Sequence, residues 1–106
     1  MIVTTTDSIE GRKIVEYLGI CSGEAILGAN VVRDLFAGVR DFVGGRSGSY
    51  EKVIRAGKEA ALEDMKAHAA ELGGNAILGI DLDYEVVGEK GSMMMVVASG
   101  TAVRIE

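Results

Sequence analysis

The sequence predicts an α+β fold with element order β-β-α-α-β-β, in which an antiparallel sheet packs against two helices. Three observations predict it. Four stretches are dense in β-branched and apolar residues and are bounded by glycine-rich or charged turns. Two stretches between them repeat their apolar residues at the helical period. The chain has 106 residues, of which 48% are hydrophobic and 25% charged. That is a globular composition, sufficient for one domain (1–106) around one core.

The first strand is "IVTTT" (2–6), β-branched throughout. "DSIEG" turns the chain, and "RKIVEYLGICSGEAIL" (12–27) forms a long second strand. Its apolar residues fall on both parities: Val15, Tyr17 and Cys21 on one, Ile14, Leu18 and Ile20 on the other. Apolar residues on two faces predict burial on both sides. Gly19 and Gly23 predict a bend or bulge.

The first helix spans 30–43. Val32, Leu35, Phe36, Val39, Phe42 and Val43 form an apolar stripe, with Arg33, Asp34, Arg40 and Asp41 off it. Asn30 suits the N-cap and Gly44 the position just past the C-terminus. The second helix runs from a Ser49 cap to about Leu72. Ala61, Met65, His68 and Leu72 form its later stripe, and Gly73-Gly74 ends it. In "AILGIDLDYEVVG" (76–88), Ile80, Leu82, Tyr84 and Val86 alternate with Asp81, Asp83 and Glu85. "MMMVVASGTAVRI" (93–105) returns as its antiparallel hairpin partner.

Two helices cannot cover both faces of a four-stranded sheet whose second and last strands carry apolar side chains on both. Mean hydropathy is +0.25, high for so small a chain. The missing cover is therefore expected from further copies, which predicts a homo-oligomer.

A net charge of −5 and a pI near 4.9 argue against a partner held by its phosphate backbone, so no nucleic acid is expected. No run approaches the roughly 18 apolar residues of a membrane span, and no charged leader precedes an apolar run. These features predict a cytoplasmic protein without a membrane partner. The one cysteine, Cys21, excludes an internal disulfide and a cysteine-rich zinc cluster.

The stretch "DFVGGRSGSYE" (41–51) could cradle an anion. It lacks the lysine of a phosphate-binding P-loop, and a helix rather than a strand precedes it. Gly45-Arg46-Ser47-Gly48 has the G-x-x-G form of a KH clamp, against which the acidic balance counts. An anion site built from Gly45, Arg46 and Ser47 at a helix N-terminus remains open. The plainer reading is a glycine stop and a serine start between two helices. Asn30, Arg33 and Asp34 share the first helix's start, as a docking point for an anion or as polar contacts between subunits.

For metals, the candidates are Cys21 and the carboxylates Asp81, Asp83 and Glu85. Strand rise separates those carboxylates by about 7 Å, too far for one ion to hold all three at bond lengths of about 2–2.6 Å. A solvated strand face is the plainer alternative. Cys21 on an apolar strand and His68 on an apolar stripe both suit packing. Met93, Met94 and Met95 point to alternate faces and cannot converge on one ion. No arrangement of nucleophile, base and acid is visible, so no enzyme is expected.

Across "ILGANVVRDLFAGVRDFVGGRSGSYE", "GNAILGIDLDYEVVG" and "GSMMMVVASGTAV" the chain resembles the YbjQ-like family. These are short proteins of bacteria and archaea that carry a provisional heavy-metal-binding label. The resemblance implies a small α+β module assembled as a ring-shaped homopentamer, and it brings no catalytic residues with it. It implies a metal ion as the possible cofactor. Cys21 repeated around a ring, or the carboxylates at 81, 83 and 85, would have to hold it. The alternatives are a structural or protein-interaction ring without a ligand and, less favoured, an enzyme.

Overall fold

The computed structural model describes residues 1–28, 48–88 and 93–106. Among them are four strands and one helix: β1 (Ile2–Val3), β2 (Ile14–Leu27), α1 (Gly48–Glu71), β3 (Ala76–Val87) and β4 (Met93–Ile105). The helix expected over 30–43 lies outside the described residues. The longer expected helix is present as α1, and the expected bounds of the last two strands match to within one residue.

The strands form one sheet in the order β1-β3-β4-β2. It is mixed, not antiparallel as expected. β2 and β3 flank β4 antiparallel, while β1 pairs parallel with β3 through Ile2–Ala76 and Val3–Ile77. The first strand is also shorter than the expected 2–6. Thr4 Oγ1 accepts from Thr6 N at 3.2 Å, and Thr6 Oγ1 donates to the Ser8 carbonyl at 2.7 Å. Such local side-chain bonds draw a threonine run out of a strand and into a turn.

α1 is held by its ends and its small residues. Ala61, Met65 and Ala69, spaced four apart, are fully buried. At its C-terminus Gly74 N donates to Ala69 O at 2.9 Å and Gly73 N to Ala70 O at 3.0 Å, with Gly73 at φ 90. That pair of bonds with a left-handed glycine is the Schellman stop. It places Gly73-Gly74 as expected, while Leu72, expected on the buried stripe, is 37% exposed.

α1 runs over β2, and one glycine sets the depth of the contact. A Cβ on Gly23 would lie 2.2 Å from Ala61 O and 2.3 Å from Met65 N, both backbone atoms. Gly23 is therefore a seat for the helix and not the bulge expected of it. Gly19 does sit at an irregularity, with φ 114 beside a register shift between Tyr17 and Gly19.

A second irregularity controls β3. The β3–β4 register shifts between Leu78 and Asp81, across Gly79 at φ 60. This bulge resets the alternation. Ile77 before it and Ile80 and Leu82 after it all pack into the core under α1. Ala76 and Leu78 before it, and Asp81, Asp83 and Glu85 after it, share the opposite face through their β4 partners Val103, Thr101, Ser99, Val97 and Met95.

The opposite face is not wholly bare. Ala76, Leu78, Val103 and Ile105 form a second buried cluster, against which Ile9 and Ile14 pack. The β1–β2 connection thus covers one end of this face from within the same chain. Part of the cover expected from another copy comes from residues 4–13. The rest of β2 stays open, with Tyr17, Ile20 and Ile26 exposed, so the expected two-sided burial of β2 is not met within one chain.

Candidate functional site

The uncovered part of the sheet has a regular layout, because antiparallel register aligns residues across three strands. Ser22, Ser99 and Asp81 form one row. Glu24, Val97 and Asp83 form the next, and Ile26, Met95 and Glu85 the third. Ile20 and Thr101 lie below them. The bulge at Gly79 is what brings the three β3 carboxylates to this face.

All three carboxylates are exposed, and they interact. Asp83 is held above the ordinary carboxylate value of 3.8, first by a hydrogen bond with Asp81, then by the Asp81 charge, with a smaller part from Glu85. Asp81 and Asp83 therefore approach as a pair, with Glu85 one step beyond. The structure brings together the expected 81/83/85 set on one face, but Cys21 is not part of it.

Cys21 lies on the other face. It is fully buried among Ala61, Met65, Ala69, Val96 and Ala98. Its Sγ donates to Gly100 O at 3.6 Å, and burial pushes the thiol above its usual value.

His68 and Asp64 have a role that the sequence does not advertise. Ser22 N donates to His68 Nδ1 at 3.1 Å, and Glu24 N donates to Asp64 Oδ2 at 3.0 Å. β2 is an edge strand, and every other N–H of an edge strand faces away from the sheet. Two helix side chains four residues apart cap two such groups. Their i, i+4 spacing across a strand edge is the one signal that could have found them. Asn75 caps backbone groups at the end of β4. Its side chain accepts from Ile105 N at 2.8 Å and donates to Ile105 O at 3.0 Å, extending the β3–β4 pairing.

Beside the capped edge is an open groove of about 620 Å³ between Ala25–Leu27 and the first half of α1, lined by Val53, Ala56, Gly57 and Ala60 with Lys52 on it. Met93, Met94 and Met95 are half-buried on alternate faces of β4. Asn30, Arg33, Asp34, Gly45, Arg46 and Ser47 lie outside the described residues.

A soft metal ion finds little here. Soft ions favour thiolates and imidazoles. The thiol is sealed in the core, and the imidazole Nδ1 is occupied by a backbone N–H. Among the described residues no three His, Cys, Asp or Glu side chains come together around one point. The donor set of the described residues does not fit a heavy-metal ion. The Asp81–Asp83 pair offers oxygen donors, which suit harder cations.

Among solved structures, the chain is similar to the crystal structure, at 2.73 Å resolution, of a protein of unknown function from Pediococcus pentosaceus ATCC 25745 that belongs to the DUF74 family. The TM-score is 0.63 with 20% sequence identity, covering 100% of this chain and 98% of the other. At that identity the likeness is one of fold. A family model described as "Putative heavy-metal-binding" matches residues 1–106. With the α+β architecture and the sequence blocks in agreement, the chain belongs to the YbjQ-like family.

Proposed function

We propose that the protein is a cytoplasmic homo-oligomer, a ring of five copies by its family resemblance, that binds a metal ion or small ligand where subunits meet. The observation that carries this reading is the composition of the open sheet face. Ile20 and Ile26 are 78% and 62% exposed there, beside the Asp81–Asp83 pair. Bare isoleucines on a flat sheet are disfavoured in water, and a second copy would cover them. Assembly then sets carboxylates of neighbouring copies near one another, supplying the donors that one chain lacks. A cation held there is of the oxygen-seeking kind.

The acidic balance of the chain opposes a nucleic-acid partner, and no helix among the described residues is long and apolar enough to cross a membrane. No step of catalysis is assigned. An assembly that carries no ligand is the second reading. It is favoured by the apolar Ile26–Met95 row, which serves association without any cation.

The test is mass measurement in solution, with and without Ile20→Lys and Ile26→Lys. The reading expects an oligomer that either substitution dissociates. Thermal shift with Mn²⁺ and Ca²⁺ then separates the two readings. Stabilisation that Asp81→Asn abolishes supports a cation at the interface. No stabilisation by either ion leaves the ligand-free assembly, and a monomeric wild type overturns both.

A further inference from the structure

The whole chain contains one cysteine, one histidine and five methionines, so its soft donors can be followed one by one. The Cys21 thiol points at Gly100 O of β4, its register partner towards the interior of the sheet. His68 Nδ1 takes the N–H of Ser22 at the outer edge of β2. The two strongest soft donors are thus turned to different partners, one to β4 and one to the outer edge of β2. Met65 is fully buried in the same apolar cluster as Cys21. Seating an ion there would place a dication and a thiolate among alanine and valine side chains. That carries a heavy desolvation cost and offers no second charged donor. Met93 and Met95 share a face of β4, but two neutral thioethers contribute no charge to offset a cation.

We infer that the folded chain has no site for a soft heavy-metal ion, and that Cys21 meets such an ion only when α1 lifts off β2. The family description and this donor set disagree. A ligand that binds the unfolded chain and not the folded one lowers stability. In the opened state the Cys21 S–H gives its proton to the buffer and its sulfur bonds to the ion. Soft ions thus act on this protein as destabilisers, the opposite sign to a metal cofactor. The inference is independent of the proposed cation at the carboxylates.

The test uses the intact protein and Cd²⁺ in thiol-free buffer, with excess Ca²⁺ present to occupy oxygen donors. Equilibrium dialysis of the folded protein is expected to retain less than a tenth of an equivalent of Cd²⁺ per chain. Cd²⁺ is expected to lower the melting temperature of the wild type by several degrees while leaving Cys21→Ala at its own metal-free value. A thiol reagent is expected to label Cys21 only in denaturant, which tests the sealed thiol without any variant. One retained equivalent of Cd²⁺, a rise in melting temperature with Cd²⁺, an unchanged wild-type melting temperature or rapid native labelling would each overturn the inference. Should neither Mn²⁺ nor Ca²⁺ produce a thermal shift, the carboxylate site fails while this inference stands.

Discussion

Replacing Gly23 by alanine tests how α1 is seated. The new Cβ would sit 2.2 Å from Ala61 O and 2.3 Å from Met65 N, where an unstrained contact needs about 3.5 Å. The obstacles are backbone atoms in mid-helix, so no side chain can swing aside. α1 must retreat by about 1 Å. At that distance the 3.1 Å Ser22–His68 and 3.0 Å Glu24–Asp64 bonds exceed hydrogen-bonding range. Overpacking costs about 1–3 kcal/mol, and the two lost bonds add about 1 kcal/mol each. The stiffer unfolded chain returns about 0.4–1 kcal/mol. A net loss of about 2–4 kcal/mol follows, against the roughly 5–15 kcal/mol typical of a small domain. Circular dichroism melts should show a fall of about 10–20 °C. Gly57→Ala is the matched control in the same helix. Its nearest neighbour is a Val96 methyl at 3.2 Å, and a mid-helix alanine recovers about 1 kcal/mol of propensity. It should melt close to wild type. If Gly23→Ala also melts within about 3 °C of wild type, the close seating of α1 on β2 is refuted.

Further expectations concern the edge, the bulge and the acidic face. Asp64→Ala and His68→Ala should each cost about 1 kcal/mol in denaturant titration, by removing the partner of a strand-edge N–H; no change in either would show that water caps that edge equally well. Deleting Gly79 removes the extra residue, so Ile77, Leu78, Ile80 and Asp81 alternate without a bulge and Ile80 and Leu82 stay under α1 with Asp81 and Asp83 on the open face. That chain should keep a cooperative melt, and its loss would refute the reading of Gly79 as the one extra residue that sets the phase of β3. Asp83→Asn should raise the melting temperature at neutral pH. The raised pKa of Asp83 means that the folded protein holds this proton more tightly than the unfolded chain, so ionisation at neutral pH weakens the fold. The penalty fades as pH falls through the raised value towards the ordinary 3.8, and melts of the two proteins should converge there. Equal melting temperatures at pH 7 would show that the Asp81–Asp83 contact exerts no strain.

Elements whose side-chain period is local were legible before any fold was known. The run from Ile80 to Val86 alternates cleanly, and β3 covers it. Ala61 and Met65 mark a helical face, and both are buried. Gly73-Gly74 stops α1 where it should. The carboxylates at 81, 83 and 85 share a face because alternate residues of a strand must. These facts need only the 2.0 and 3.6 residue periods, which each segment carries within itself.

Features that depend on distant partners became legible only in the folded chain. β1 crosses to the far edge and pairs parallel with β3, and no local signal in "IVTTT" chooses that neighbour. Ile9 and Ile14 meet Ala76 and Val103 to cover one end of the second face, so fewer apolar residues stay uncovered than a strand-by-strand count suggests. Gly79 works as a phase shift and Gly23 as a helix seat because of what lies opposite each. Asp64 and His68 look like ordinary helix residues until β2 presents its bare N–H groups beside them. Sequence period reports which way a side chain points relative to its own element. Register, edge position and close approach belong to pairs of elements, and only folding brings those pairs together.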